Sequence, residues 1–251
     1  MIKIIRPEDC CGCTACASVC IHDAISMESD GLGFFYPKVD ETKCVKCGIC
    51  EKICQFHEEY DRYDNYETPV VYGGRHRDVD ELSRSQSGAC SFSLISKFLE
   101  KKGIVYGVSF TKNFHVVHKR AETINDCEGF RGSKYVQSDL RGIFRLIKED
   151  LKNGQRVLFI GTGCQVSGLK SYLPNNYHKN LFVIDIVCHA VPSPAVWEAY
   201  VNYLQKKRGK KIVKAYFRNK KYGWHSHIET FIFEDGKEIS LDTFRRYFFL
   251  Q

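Results

Sequence analysis

The chain has 251 residues, of which 43% are hydrophobic and 27% charged, and its 37 basic and 30 acidic side chains give a formal net charge of +7. This size allows a buried core in one large domain, or in a small domain beside a medium-sized one. No apolar run approaches the length of a membrane span and the N-terminus lacks a signal-peptide pattern, so we expect a cytoplasmic protein with no membrane span.

Two runs of four cysteines near the N-terminus share the same gaps. Both follow the pattern C-x2-C-x2-C-x3-C, and the second run begins 34 residues after the first. In a reducing cytosol such a segment binds metal more often than it forms disulfides, and this spacing is the one used by 4Fe-4S cubes. The sequence therefore predicts two 4Fe-4S clusters bound by Cys10, Cys13, Cys16, Cys20, Cys44, Cys47, Cys50 and Cys54.

The position of the fourth cysteine in each run predicts how the thiolates are shared. Three closely spaced thiolates can bind three irons of one cube, while the following turn or helix carries the fourth toward the other cube. We expect Cys54 to join the first three cysteines of the first run, and Cys20 to join the first three of the second. Cys11 aligns with Val45 in the repeat, so it is predicted to be a packed thiol near the cluster. Two zinc sites are the alternative, but tetrahedral zinc would leave half of each run without a role.

Residues 1–57 are predicted to form a ferredoxin-like module, because the segment between the two runs alternates in polarity around Asp30-Gly31, as a β-hairpin does. Eight thiolates and two oxidised cubes would lower the net charge to about +3. This mild charge and the lack of a recognisable nucleic-acid motif argue against a nucleic-acid partner. The basic stretch 206–214 is predicted to end a helix at Gly209, with a docking patch for an acidic electron carrier as the alternative.

Residues 58–69 are acidic and tyrosine-rich, which predicts a linker, and residues 70–251 then alternate between helical and strand patterns. The overall class is therefore α/β, or α+β when the module is included. In chain order we predict a helix at 91–103, strands at 104–110 and 115–121, a helix at 139–154, a strand at 156–161, a turn at 162–165, a helix at 166–173, a buried strand at 180–187, a helix that starts at Ser193-Pro194, and a hairpin at Asp235-Gly236.

Folds of this class bind ligands beyond the carboxyl ends of their strands. Residues 161–165, GTGCQ, connect a strand to a helix, and their glycines would let backbone amides approach a phosphate. Tight packing in a turn explains the same glycines equally well. Cys188-His189 follows the next strand and is either a catalytic pair or a buried thiol beside a hydrogen-bonded histidine.

Five sequence blocks behind the cysteine module resemble the coenzyme F-420 hydrogenase/dehydrogenase beta-subunit family. They occur in the family's order and read SQSGAC (85–90), FRGSKYVQSD (130–139), GTGCQVSGLKSYL (161–173), VCHAVPSP (187–194) and FRNKKYGW (217–224). The chain departs from the family at Ala89 and Ala190, where glycine is common. It also stops at RRYFFLQ, where relatives usually continue into a further cysteine-bearing segment, so we expect a C-terminal truncation.

The resemblance implies an iron-sulfur flavoprotein oxidoreductase in which two clusters and FAD exchange electrons with a small organic substrate, either F-420-like or a polysaccharide-pathway intermediate. A ferredoxin or another electron-donor protein would be its partner. The resemblance also implies that Cys188 or His189 donates a proton to the substrate. An electron-relay subunit without its own substrate pocket and a redox-regulated assembly protein are the alternatives. The residues expected to line FAD are Ser87, Gly88, Ser133, Lys134, Tyr135, Thr162, Gly163 and Gln165.

Overall fold

A two-stranded hairpin and two short helices form the N-terminal module in the computed structural model, which describes residues 1–57, 60 and 68–244. Strands β1 (Ile25–Ser29) and β2 (Phe35–Val39) pair antiparallel. The Asp30 carboxylate closes their turn by accepting hydrogen bonds from two backbone amides of the loop. Helices α1 (Ala15–Val19) and α2 (Ile49–Lys52) each begin inside a cysteine run. The predicted hairpin and ferredoxin-like fold are confirmed.

The backbone repeats together with the cysteines. Gly12 and Thr14 of the first run have φ angles of 67° and 67°, and Lys46 and Gly48, at the matching positions of the second run, have 55° and 76°. Left-handed backbone is uncommon for a residue other than glycine, so its recurrence at Thr14 and Lys46 marks a shape imposed on both loops. The two cysteine loops therefore have the same local conformation.

A four-stranded sheet forms the centre of the second domain, in the order β4-β3-β5-β6. Strands β3, β5 and β6 are parallel, and β4 is an antiparallel edge strand. Alternate residues of β3 and β5 face opposite sides of the sheet, where α5 and α6 cover one face and α4 the other. The element bounds are α3 (Val79–Arg84), α4 (Cys90–Glu100), β3 (Ile104–Phe110), β4 (Val116–Ala121), α5 (Ile143–Lys152), β5 (Val157–Thr162), α6 (Gly163–Tyr172) and β6 (Leu181–Ile186).

A second core follows this sheet along the chain. Helix α7 (Pro194–Arg208) packs on an antiparallel sheet of β7 (Ile212–Tyr216), β8 (Glu229–Phe233) and β9 (Glu238–Leu241). Trp197 is buried at its centre, and its Nε1 donates to the carbonyl of Phe114 at 2.8 Å. The Ser193 cap, the helix end at Gly209 and the β8–β9 hairpin follow the sequence predictions.

The structure differs from the predictions at three elements. Helix α5 begins at Ile143, because Gly142 has a φ of 79° and interrupts the predicted helix 139–154. Helix α6 begins at Gly163, without the predicted turn, because Gln165 hydrogen-bonds to the amide of Thr162 and caps the helix. A buried strand was predicted at 180–187, but β6 is the edge strand of its sheet and Phe182 is 42% exposed.

No helix in the described ranges is both long and apolar enough to cross a bilayer. Most of the predicted linker lies outside the described residues. Of its residues that are described, Tyr60 contacts the second domain: its hydroxyl lies 3.1 Å from the hydroxyl of Ser167 on α6.

The first cysteine loop packs directly on α6. Gly168 of that helix has no side chain, and a Cβ added there would lie 2.8 Å from both Cβ and Sγ of Cys13. Next to this contact, Ala15 is 1% exposed and belongs to the same hydrophobic core as Phe144 and Leu169. The module therefore shares a core with the α/β domain.

Polar contacts fix the orientation of the module around this core. The Arg145 guanidinium donates to the carbonyls of Ala17, Ser18 and Cys20, which are at the end of α1. Carbonyls at a helix C-terminus lack partners within the helix and carry partial negative charge. An arginine there donates hydrogen bonds to these carbonyls and balances their charge. Helix α1 is therefore held in place by α5.

We expect the substitution Gly168→Ala to separate the module from α6. The added methyl group overlaps Cys13, and relieving an overlap in a packed core costs about 1–3 kcal/mol. Urea unfolding monitored by circular dichroism should show this loss of stability. Gly31→Ala is the matched control, because a Cβ at Gly31 meets nothing within 4 Å. Equal stability of the two variants would show that the Cys13 contact is not tight.

Candidate cluster sites and cofactor site

The cysteines of the two runs line two separate cavities. One cavity, of about 110 Å³, is lined by Cys44, Cys47 and Cys50 of the second run together with Cys20 of the first. We call these four thiols the far site, because the other set contacts α6. The arrangement matches the sharing of thiolates expected from the sequence, although which residues bind a cluster stays a prediction.

The second cavity, of about 20 Å³, is lined by Cys10, Cys13, Cys16 and Cys54, which we call the near site, and also by Cys11. Backbone amides point at sulfurs in both sites: Gly12 N donates to Cys10 Sγ at 3.4 Å. In the far site, the amide of Ile2 donates to Cys50 Sγ at 3.3 Å. Hydrogen bonds to sulfur stabilise the charge of a thiolate-bound cluster.

The choice between a cube and a zinc ion rests on the spacing of the cysteines in the sequence. Among the described residues, no three Cys, His, Asp or Glu side chains converge on a point where a single ion could bind. Zinc needs all its thiolates about 2.3 Å from one ion, whereas a cube binds one thiolate at each iron and separates its ligands. The near site is narrow, so its side chains must move outward to accept a cube. Burial raises the pKa of Cys10 to about 11, and binding must displace its proton.

Residues 130–139 are the segment at which the five sequence blocks meet. This segment leaves the 3-10 helix Asp126–Phe130 and crosses the carboxyl ends of the strands. It contacts each of the other four blocks through a different side chain or amide. In chain order the contacts are Arg131 to Ser85 Oγ (2.9 Å), Gln165 Nε2 to Ser138 Oγ (2.9 Å), Gln137 N to Pro192 O (3.1 Å), and the ring of Tyr135 to that of Phe217 (centroids 5.5 Å apart).

A chain of buried hydrogen bonds connects this segment to the start of α6. His118 Nε2 lies 3.1 Å from the carbonyl of Ile160, and its Nδ1 lies 3.1 Å from Ser138 Oγ. The Ile160 carbonyl can only accept, so His118 donates from Nε2 and its Nδ1 accepts from Ser138. Gln165 Nε2 donates to Ser138, and its Oε1 accepts from the amide of Thr162 at 3.0 Å. A single assignment of the protons therefore gives every donor in this series of hydrogen bonds an acceptor. The series fixes the turn between β5 and α6.

Gln165 was predicted to contact FAD, but in the structure its side chain forms hydrogen bonds within the protein. Its side chain is 8% exposed and is turned inward to Ser138 and Thr162. Thr162 and Gly163 are partly exposed at the mouth of the turn. A Cβ at Gly163 would lie 3.1 Å from the Asp185 carboxylate, which occupies the helix N-terminus where a phosphate was predicted. Two anions repel, so this turn suits a hydroxyl-bearing group such as ribose better than a phosphate.

The predicted residues Ser87 and Gly88 precede α4. Ser87 is exposed, and its carbonyl accepts a hydrogen bond from Lys220 Nζ at 3.1 Å. Gly88 is buried because residues 73–76 cross directly over it, so that a Cβ there would lie 2.4 Å from the carbonyl of Gly74. Glycine is therefore required by this crossing, whether or not a ligand binds.

The Lys134 ammonium was predicted to face FAD, and it is held by its own loop. Nζ donates to the carbonyls of Gly129, Arg131 and Gly132 at 2.5, 2.9 and 3.1 Å. Burial lowers the pKa of Lys134 to about 7. The three accepting carbonyls favour the ammonium and oppose this shift. Ser133 beside it is exposed. Lys134 therefore shapes the loop that presents Ser133 and Tyr135.

Cys188 and His189 follow β6, and both are exposed. This differs from the sequence-based alternative of a buried thiol beside a hydrogen-bonded histidine. Exposure leaves both side chains accessible to a substrate, and their catalytic role stays a prediction.

Sequence reasoning missed the side chains that join the module to the turn. Gln55, placed after the last cysteine, donates from Nε2 to Cys11 Sγ at 3.3 Å and to the carbonyl of Cys164 at 2.8 Å. Gln137 accepts from the amide of Phe35 at 3.1 Å. The position of Gln55, where the ferredoxin pattern usually has proline, was the one available signal.

We expect His118 to make stability depend on pH. Burial lowers the pKa of His118 to about 4, below its ordinary value of 6.5. The unfolded chain therefore takes up a proton that the folded chain rejects, and stability present above pH 6.5 is lost as the pH falls toward 4. The full loss is about 3 kcal/mol. Urea unfolding at pH 7.5 and pH 5 should show a smaller pH difference for His118→Gln than for the wild type, and equal differences would contradict the assignment.

Comparison with known families finds matches to two separate parts of the chain. Residues 9–57 match the 4Fe-4S dicluster domain, which includes both cysteine runs. Residues 154–250 match the C terminus of the coenzyme F420 hydrogenase/dehydrogenase beta subunit. This second match contains the β5–α6 turn, β6, α7 and the second core.

Individual relatives are more distant. One subunit of the F(420)H(2) dehydrogenase of Methanosarcina mazei is 21% identical over 233 residues, which cover 88% of this chain and 65% of the relative. One subunit of the Na(+)-translocating ferredoxin:NAD(+) oxidoreductase complex of Acetobacterium woodii is 47% identical over 45 residues, or 18% of this chain and 12% of the relative. The chain thus spans less than two thirds of the length of either relative.

Among solved structures, a chain of the F420-reducing [NiFe] hydrogenase complex of Methanosarcina barkeri aligns with a TM-score of 0.46 at 19% identity, covering 66% of this chain and 58% of that chain. The resemblance expected from the sequence blocks is confirmed: residues 9–57 resemble a 4Fe-4S dicluster domain, and residues 154–250 resemble the C terminus of the coenzyme F420 hydrogenase/dehydrogenase beta subunit.

Proposed function

We propose that the protein is an electron-transferring iron-sulfur flavoprotein subunit of an oxidoreductase. Bound clusters would supply one-electron transfer, and FAD would connect it to two-electron chemistry on a small organic substrate. The contact between Cys13 and Gly168 carries this proposal. It sets the near site against the helix whose N-terminus carries the turn predicted to bind FAD.

The exposed groups of the α/β domain support a cofactor site at this turn. Thr162 and Gly163 lie at its mouth, and Asp185 supplies a carboxylate that can accept from a ribose or ribityl hydroxyl. The segment 130–139 reaches the turn through the hydrogen bond between Ser138 and Gln165. On its buried side, the turn is fixed by hydrogen bonds among His118, Ser138 and Gln165. These residues bind or position the cofactor, and the far site would receive electrons from a ferredoxin or a similar donor.

The substrate side of the proposal is an F-420-like molecule or a polysaccharide-pathway intermediate. The name of the Methanosarcina mazei relative supports the first. Cys188 and His189 would supply the proton that accompanies two-electron transfer, since both are exposed beyond β6.

An electron-relay subunit is the second candidate. The relatives are named as subunits of larger complexes, which fits a chain that passes electrons to a partner instead of a substrate. The exposure of Phe182 on β6 and of Val187 directly after it favours a partner protein at this edge of the sheet.

We expect the full chain, reconstituted with FAD and desalted, to retain about one FAD per chain. Lys134→Glu should weaken binding by on the order of tenfold, because it removes three charge-assisted hydrogen bonds that shape the loop. Lys152→Glu, on the exposed face of α5, is the matched charge control. Absorbance spectra of the desalted protein measure the result, and spectra that show clusters without flavin would favour the relay.

We expect double cysteine variants to reveal which thiols share a cluster. Cys16→Ala with Cys54→Ala removes two ligands of the near site alone and should leave about four irons per chain. Cys16→Ala with Cys20→Ala removes one ligand from each site and should leave far fewer. Cys11→Ala should change neither count.

Iron analysis on soluble protein that keeps the circular dichroism of the α/β domain measures the outcome. If the first pair lost more iron than the second, each run would close its own cluster. The sharing of cysteines between runs would then be wrong, whereas the flavin proposal would be unaffected.

A further inference from the structure

Two cysteines outside the eight predicted ligands meet across the boundary between the module and the α/β domain. Cys11 and Cys164 are neighbours across this boundary although 152 residues separate them in the chain, because one side chain of the module contacts both residues. Both are free and partly exposed. Gln55 holds the pair together by donating to Cys11 Sγ and to the carbonyl of Cys164.

The surroundings of Cys164 suit a reactive thiol. It is the second residue of the ten-residue helix α6, where the helix dipole favours a thiolate. The Thr162 hydroxyl lies 3.2 Å from its Sγ and can donate to it. Cys188 is exposed and follows the neighbouring parallel strand β6, so a third thiol lies at the same end of the sheet. None of these three cysteines is needed by the proposed clusters.

We propose that Cys11 and Cys164 form a redox-active pair that exchanges with low-molecular-weight disulfides such as oxidised glutathione. Cys164 attacks one sulfur of the small disulfide and releases one thiol, forming a mixed disulfide. Cys11 then attacks Cys164 Sγ and releases the second thiol. The protein loses two thiol hydrogens, the small disulfide gains two, and one new S–S bond joins the two domains.

The new bond would change the junction beside the β5–α6 turn. The module now contacts α6 through packing and hydrogen bonds, and a disulfide would fix the Cys11 loop covalently to the first turn of that helix. Because the bond would close a loop of about 150 residues, it restricts the unfolded chain strongly. An oxidising cell would therefore lock the module in place, and a reducing one would release it. The proposal depends neither on FAD binding nor on electron transfer from the clusters.

The experiment uses the full, cluster-loaded chain under anaerobic conditions. Wild type is incubated with oxidised glutathione, free thiols are blocked with N-ethylmaleimide, and peptides are mapped by mass spectrometry without reduction. We expect a cross-linked peptide that contains Cys11 and Cys164, with two fewer alkylated cysteines than in untreated protein. Dithiothreitol should reverse the change.

Three variants separate this pair from other thiol reactions. Cys11→Ser should stop at a glutathione adduct on Cys164, and Cys164→Ser should abolish the cross-link. Cys90→Ser, which changes the exposed first residue of α4 in contact with Gly74, should behave as wild type. Iron content measured in the same samples should equal that of wild type.

Several results would overturn the proposal. Recovery of Cys11 and Cys164 as alkylated thiols would show that the pair does not exchange. A cross-link between Cys164 and Cys188 would assign the reaction to a different pair. Loss of iron in Cys11→Ser would make Cys11 a cluster ligand.

Discussion

The close approach of Cys13 to Gly168 is the constraint on which the rest of the structure depends. A single added methyl group would overlap both Cβ and Sγ of the cysteine, so the near site and α6 can pack this tightly only at a glycine. Ala15 continues the contact into the main core, and Arg145 holds the end of α1. The same helix begins with the turn that faces the candidate cofactor site. One element thus contacts both proposed redox centres, which keeps the path for an electron short.

Around that helix, buried hydrogen bonds fix the positions of individual polar groups, which hydrophobic packing alone does not do. His118, Ser138 and Gln165 form a hydrogen-bonded chain in which each group has one role, and its end fixes the amide of Thr162. A buried network of this kind is rigid when every member is satisfied. Residues 130–139 extend it to the other sequence blocks. The blocks are distant in sequence, and they meet because this segment crosses the ends of the parallel strands.

The sequence was most informative where a short pattern determines local geometry. Cysteine spacing predicted the module, Asp30-Gly31 its hairpin, and Ser193-Pro194 and Gly209 the two ends of α7. It was less informative where tertiary contacts decide. The apolar run in β6 gave no sign that the strand would lie at a sheet edge. Lys134 and Gln165 were predicted to contact a ligand from their place in family blocks, but only the fold shows that three carbonyls and a buried serine engage them.

The central claim is that electrons reach the α/β domain through the near site. It is tested most directly by stopped-flow absorbance of FAD-loaded protein mixed anaerobically with dithionite, which is small enough to reach both sites. The account predicts that Cys16→Ala with Cys54→Ala, which removes the near cluster, slows flavin reduction by on the order of tenfold or more. Cys47→Ala with Cys20→Ala, which removes the far cluster, should leave the rate close to that of wild type. Equal slowing by both pairs, or greater slowing by the second, would contradict the account.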